Sequence, residues 1–270
     1  MRLNQHVTIV TGGASGFGEE ICRYYATQGA RVVVADINVI LGEKTAADLT
    51  AADHAAMFQY TDVTRTGDMA ALVTTTLAHF GRPEIMVNKA GISHANQPIL
   101  KVSKAEFDRI YAVTVKSLYL SAIHCVPIFR RQKSGCFINI GSTSAVRPRP
   151  GLTWYNGPKG AVMLTPKSMA VERAPDGVRA NAIIPAIADT PLLTTFMGAQ
   201  DTVAGHRDQP RAFHRFDPAK PTRPSERRGS RRRLPSGARL RIHHGRLPRG
   251  RTRALHLTPF PLICPPPQSP

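Results

Sequence analysis

Thr11-Gly12-Gly13-Ala14-Ser15-Gly16-Phe17-Gly18 follows directly on the apolar run Val7–Val10, and this junction decides the fold. Glycines 12, 16 and 18 permit a tight turn, close approach of backbone to a pyrophosphate, and packing of the next helix against the strand before it. A helix opening at Gly16 points free N–H groups and the positive end of its dipole at such an anion. Gly12, Ser15, Gly16, Phe17 and Gly18 are therefore candidate dinucleotide contacts. Taken alone, a glycine-rich turn is equally a common structural device.

Outward from this turn, short runs rich in β-branched residues alternate with longer helical patterns as far as about Thr190. That alternation predicts an α/β chain of βαβ units around a parallel sheet covered on both faces. Strands are expected at residues 6–10, 31–35, 56–60, 85–88, 136–140 and 179–184. Helices are expected at 16–27, 41–49, 66–79, 104–131 and 154–174. Asp36 closes the second strand 18 residues after Gly18. A carboxylate there accepts from both adenosine ribose hydroxyls and repels a 2′-phosphate, which favours NAD over NADP. Asp62, with Val63 beside it, follows the third strand. Its carboxylate is placed either to accept from an adenine amino group or to cap the next helix.

The chain has 270 residues, enough for one well-buried domain. Its formal charge of +18 is unevenly spread: residues 1–200 carry +6 and residues 201–270 carry +12. The four cysteines form no C-x-x-C pair, so neither a metal site nor a disulfide framework is expected, and all four are read as reduced thiols. The apolar run Val7–Val10 breaks at once into Thr-Gly-Gly, unlike a secretory leader, and no stretch reads as a membrane span. These features point to a cytoplasmic enzyme without a membrane partner.

Ser142, Tyr155 and Lys159 share one logic. A carbonyl being reduced needs a proton donor beside its oxygen while hydride reaches its carbon. Tyrosine is a poor acid at neutral pH, and an ammonium one helical turn away stabilises tyrosinate and lowers the phenol's pKa. Ser142, just past the fifth strand, can hold the substrate oxygen. Alone, Y-x-x-x-K is also the spacing of an ordinary helix surface.

Taken together, T-G-x-x-x-G-x-G, Asp36, Asp62-Val63, Asn88-Lys89-Ala90-Gly91, Ser142 and Tyr155-x-x-x-Lys159 resemble the short-chain dehydrogenase/reductase family in order and spacing over roughly residues 1–200. The resemblance implies a Rossmann-like, doubly wound single-domain subunit, forming a homodimer or homotetramer if the usual C-terminus is present. It makes Tyr155 the general acid/base, gives Lys159 a second role on the nicotinamide ribose, and assigns Ser142 to the substrate. Asn88, Ala90 and Gly91 would line the cofactor, and Thr190 would approach the nicotinamide carboxamide. The expected activity is NAD-dependent interconversion of a secondary or aromatic alcohol with its ketone or aldehyde. The alternative is a dinucleotide-binding relative of weak or no activity.

Four positions depart from the family's pattern. Lys89 stands where a second asparagine is usual, Thr114 replaces the asparagine of a proton relay, Gly157-Pro158 separates Tyr155 from Lys159, and Ala186 replaces a glycine. Interior glycine and proline cost a helix about 1 and 3 kcal/mol against alanine, far less for a proline in the first turn. Arg147-Pro148-Arg149-Pro150 lies near the expected mouth of the site. It is similar to branches acting on aromatic aldehydes and alcohols, and either arginine could attract an anionic substrate, or both could belong to a solvated loop.

Beyond about Phe196 the pattern gives way to an anomalous Arg/Pro-rich tail, with 12 of the 22 prolines after residue 200. The family's closing motifs are absent from this stretch, yet they emerge one base out of frame. Synonymous codons exist that turn residues 212–229 into RFIASIPLSRLGRPSDVA and residues 242–250 into FITGVCLEV. A frameshift in the gene or its sequencing, between about Phe196 and Ala212, is the expected explanation. The rival is a natural nucleic-acid-binding arm built on Arg227-Arg228, Arg231-Arg232-Arg233 and Arg239 to Arg253. GC-rich DNA read out of frame yields such tracts without any nucleic-acid partner, so none is expected.

Overall fold

The computed structural model describes residues 2–185 together with Thr195 and Phe196. These lie in one of two compact units of the chain; the other, Val203–Leu262, falls outside the described residues.

Six parallel strands form one sheet in the order β3-β2-β1-β4-β5-β6. They are β1 (Val7–Thr11), β2 (Arg31–Asp36), β3 (Ala56–Tyr60), β4 (Ile85–Asn88), β5 (Gly135–Ile140) and β6 (Val178–Ile183). Each lies within a residue or so of its expected span. Between them run α1 (Gly16–Thr27), α2 (Val39–Ala51), α3 (Thr66–Phe80), α4 (Lys104–Tyr111), α5 (Ser117–Gln132) and α6 (Thr153–Arg173). The doubly wound, Rossmann-like architecture is therefore present in this unit.

Burial explains why the strands read as continuous apolar runs. Every residue of β1, β4 and β5 is buried. Ile9, Val33, Met86 and Phe137 of the sheet pack with Met69 and Leu72 of α3 and Leu120 and Phe129 of α5. Full burial of each such side chain stabilises by roughly 1.5–3 kcal/mol. Strand order reverses between β1 and β4, whose registers pair Thr11 with Asn88. Open α/β sheets hold ligands at such a reversal, outside the C-terminal ends of the strands.

Three expectations are corrected. The single helix over 104–131 is two helices joined by a π-helical turn, Ala112–Lys116, which contains Thr114. Unbroken apolar periodicity across the junction carries no sign of the extra residue in that turn. The whole stretch Lys104–Gln132 is also long and apolar enough, by length and composition, to cross a membrane, against the reading that none is. Here it supplies core residues, among them Leu120, Cys125 and Phe129. Finally, Cys22 and Cys125 are free and buried, but Cys136 is disulfide-bonded, a state that sequence spacing does not reveal. Cys264 lies outside the described residues.

Candidate active site

Each glycine of the turn after β1 has its own cause. Gly12 and Gly16 have φ of +67° and +51°, where a side chain is strained. A Cβ on Gly18 would fall 1.9 Å from the Gly12 carbonyl oxygen, so α1 reaches the turn only because that atom is absent. Ser15 precedes α1 in extended conformation and makes no side-chain cap, which leaves N–H donors of the first turn open. Phe17 is half-buried in that first turn.

Asp36 braces the turn from the end of β2. Its Oδ2 accepts from Ala14 N at 3.0 Å and its Oδ1 from Asn38 N at 2.9 Å. Thr11 ties the turn to the loop after β4: its hydroxyl donates to Val87 O and accepts from the N–H groups of Lys89 and Ala90 at 3.2 and 3.3 Å. Lys89, legible in the sequence only as a departure from pattern, enters the turn itself. Its Nζ donates to Gly12 O at 3.0 Å and to Ser15 O at 3.1 Å. Burial holds its pKa below the usual lysine range, against the opposing charge of Asp36.

Asn88 is buried, and its side chain runs along the sheet. Its Nδ2 donates to Asn139 Oδ1 at 2.9 Å, and Asn139 Nδ2 donates to Asn181 O at 3.0 Å. The amide thus joins β4, β5 and β6, leaving backbone as its means of lining a ligand. Asn139 was missed, although a polar residue inside a buried apolar strand is a readable signal. Asp62 Oδ1 accepts from the N–H and hydroxyl of Thr64, at 2.9 and 2.7 Å. The residue preceding α3 is Arg65, so Asp62 is not that helix's cap. Val63 packs in the core.

The second half of the site lies where β5 meets α6. Ser142 Oγ accepts from Ser144 N at 3.2 Å, which leaves its own hydrogen free to donate. Tyr155 and Lys159 are each only 5% exposed. Lys159 Nζ donates to Ile140 O at 2.8 Å and lies 5.9 Å from the centre of the Tyr155 ring. A Cβ on Gly91 would come within 3.4 Å of that Nζ, so the loop after β4 links the Lys159 head to the glycine turn. Phe196, which no sequence signal singled out, packs edge-on against Tyr155 with ring centres 5.0 Å apart.

The electrostatics differ from expectation. Burial raises the Tyr155 phenol above its usual pKa; the Ser142 hydroxyl, the charge of Arg149 and the Ser144 hydroxyl oppose that rise. The Lys159 ammonium, bonded to the end of β5, stays 5.9 Å from the centre of the Tyr155 ring. Burial, with repulsion from Lys89, brings Lys159 down to about 8. Pro158 is the sixth residue of α6, beyond the first turn, so it removes an N–H that would serve the helix, yet Lys159 still turns toward Tyr155. Thr114 is buried, and its Oγ1 has no hydrogen-bond partner among the described residues. Ala186 and Thr190 lie outside the described residues.

Residues 6–200 match the family model of the short chain dehydrogenases. The chain is 44% identical over 226 residues, 84% of this chain and 88% of the relative, to a 4-formylbenzenesulfonate dehydrogenase of Comamonas testosteroni. It is 34% identical to a cyclopentanol dehydrogenase of a Comamonas strain, over 73% of this chain and 79% of that one. Among solved structures, it matches a 3-ketoacyl-(acyl-carrier-protein) reductase from Brucella melitensis complexed with NADH. The TM-score there is 0.70 at 39% identity, covering 72% of this chain and 80% of the other. Fold, site order and relatives agree: the chain belongs to the short-chain dehydrogenase/reductase family, whose members are oxidoreductases acting on CH–OH groups.

Proposed function

We propose that the chain is an NAD-dependent dehydrogenase interconverting an aromatic or secondary alcohol with its aldehyde or ketone. The observation that carries this reading is the junction of the two half-sites: Gly91, on the loop beside the glycine turn, abuts the head of Lys159 below Tyr155. The open first turn of α1, which the absent Gly18 side chain lets pack against the glycine turn, suits a diphosphate, and Asp36 suits an unphosphorylated ribose.

A nicotinamide dinucleotide bound there supplies or accepts the hydride. The protein handles the proton. In reduction, Tyr155 Oη–H donates its proton to the carbonyl oxygen, and Ser142 Oγ–H donates a hydrogen bond to the same oxygen. The Lys159 ammonium stabilises the resulting tyrosinate. In oxidation, tyrosinate takes the alcohol proton back. Arg149, whose charge reaches Tyr155, is the candidate receptor for an anionic substituent on an aromatic substrate. The name of the 4-formylbenzenesulfonate dehydrogenase relative supports that substrate class.

A panel of aromatic and secondary alcohols with NAD or NADP, read by absorbance of the reduced nicotinamide, tests the reading. Turnover with NAD that Tyr155→Phe removes upholds it; absence of turnover with every pair overturns it. The orphaned Thr114 hydroxyl and the interior Pro158 favour a second reading, a dinucleotide-binding protein of weak or no activity. Binding of NADH without any turnover is its signature, and turnover gained in Thr114→Asn or Pro158→Ala would trace the loss to those positions.

We also propose that the segment after about Phe196 is encoded out of frame. The two family motifs recovered by a one-base shift support this. The nucleotide sequence from codon 190 onward, with peptide masses of the tail, tests it. An uninterrupted frame whose peptides match residues 201–270 would overturn a sequencing error as the cause.

A further inference from the structure

Resting on the dinucleotide reading, we propose that Lys89 is a cofactor-positioning residue, supplying from within the glycine turn the positive charge that receives the dinucleotide's diphosphate.

Lys89 follows Asn88, which pairs in register with Thr11, so its backbone emerges directly beside the turn. Its Cδ lies against Gly12, and its ammonium donates to the carbonyls of Gly12 and Ser15. An ammonium has three N–H donors, and these bonds use two. Among the described residues it makes no ion pair. The carboxylate whose charge reaches it, Asp36, is held by Ala14 N and Asn38 N.

Burying a cation without an anion is expensive, and this crevice holds two. Lys159 is the second, also without an ion pair among the described residues and repelled by Lys89. Lys89, on the loop after β4, is the one of these two cations that lies at the open N-terminus of α1, where its charge complements an anion. A diphosphate is a dianion that the open N–H donors at the start of α1 suit. Asparagine, the usual residue here in the family, would bring no charge. A lysine serving only to clip the two loops together would be indifferent to the charge of the ligand.

Calorimetric titration of the full chain with ADP-ribose and with adenosine separates the two roles. Lys89→Asn and Lys89→Met are expected to weaken ADP-ribose about tenfold while leaving adenosine within about twofold, and Lys89→Arg is expected to stay near the wild type. If the methionine variant does not fold, the asparagine variant decides, because asparagine is the residue usual here in the family. Unchanged ADP-ribose affinity in Lys89→Asn, or equal loss of both ligands, overturns the proposal. No binding of ADP-ribose to the wild type would instead overturn the dinucleotide reading itself.

Discussion

Lys159 Nζ donates to the carbonyl oxygen of Ile140 at 2.8 Å, which fixes a buried ammonium at the end of β5, one helical turn from Tyr155. Its folded pKa of about 8 lies below the lysine value of 10.5, so folding disfavours its charge. The stability penalty is full below pH 8 and is relieved as pH rises from 8 to 10.5. Lys159→Met is therefore expected to raise stability at pH 7 by roughly 1–3 kcal/mol, after loss of the Ile140 bond, while lowering turnover at least about a hundredfold. Denaturant melts across this pH range test it: the gain should shrink toward pH 10.5. A variant less stable than wild type at pH 7 would contradict it.

The same two residues set opposite pH trends for the two directions. Burial keeps the Tyr155 phenol protonated at neutral pH, the form that gives a proton to a carbonyl. Carbonyl reduction is expected to hold from neutral pH and decline above about 8, where Lys159 loses its charge. Alcohol oxidation needs tyrosinate and is expected to rise above neutrality. Rate profiles in both directions, with the chemical step isolated by single turnover, check the trend; identical profiles would contradict it.

Gly18 has no room for a side chain. A Cβ would sit 1.9 Å from Gly12 O, a backbone atom that moves only with the turn. Gly18→Ala is expected to cost about 1–3 kcal/mol of stability and to remove measurable NADH binding. Fluorescence titration with NADH and a thermal melt are sufficient checks.

The proposed preference for NAD rests on Asp36. Asp36→Ser is expected to shift the kcat/KM ratio for NAD over NADP toward NADP by at least about tenfold. It is also expected to cost about 1 kcal/mol of stability, because Asp36 holds Ala14 N and Asn38 N. An unchanged ratio would remove the basis for preferring NAD.

The described sheet ends at β6, and the frame-shifted reading places the family's last strand in FITGVCLEV. A frame-corrected chain is expected to melt cooperatively, with a midpoint several degrees higher and further stabilised by NADH. Equal melting of the two chains would contradict the frame proposal.

Strand positions were legible because parallel strands buried on both faces must be apolar throughout, and glycines 12, 16 and 18 were legible because no other residue fits. Tyr155, Ser142 and Lys159 were readable as types at a spacing. Their electrostatics were not, since burial in the folded chain raises the Tyr155 phenol and lowers Lys159. The bond from the Asn88 amide to Asn139, 51 residues away, was not legible, because no local pattern records such a partner. The π-helical turn at Thr114 left no trace because the apolar period runs through it. Lys89 showed only as an interruption, and its meaning required the positions of the Gly12 and Ser15 carbonyls.

The central claim, proton transfer by Tyr155 coupled to NAD-linked hydride transfer, is tested most directly by comparing wild type and Tyr155→Phe in NAD-dependent oxidation of an aromatic alcohol, with NADH affinity measured in parallel. The account predicts loss of turnover by about a thousandfold with NADH binding nearly unchanged. Tyr155→Phe turning over as fast as wild type would contradict it.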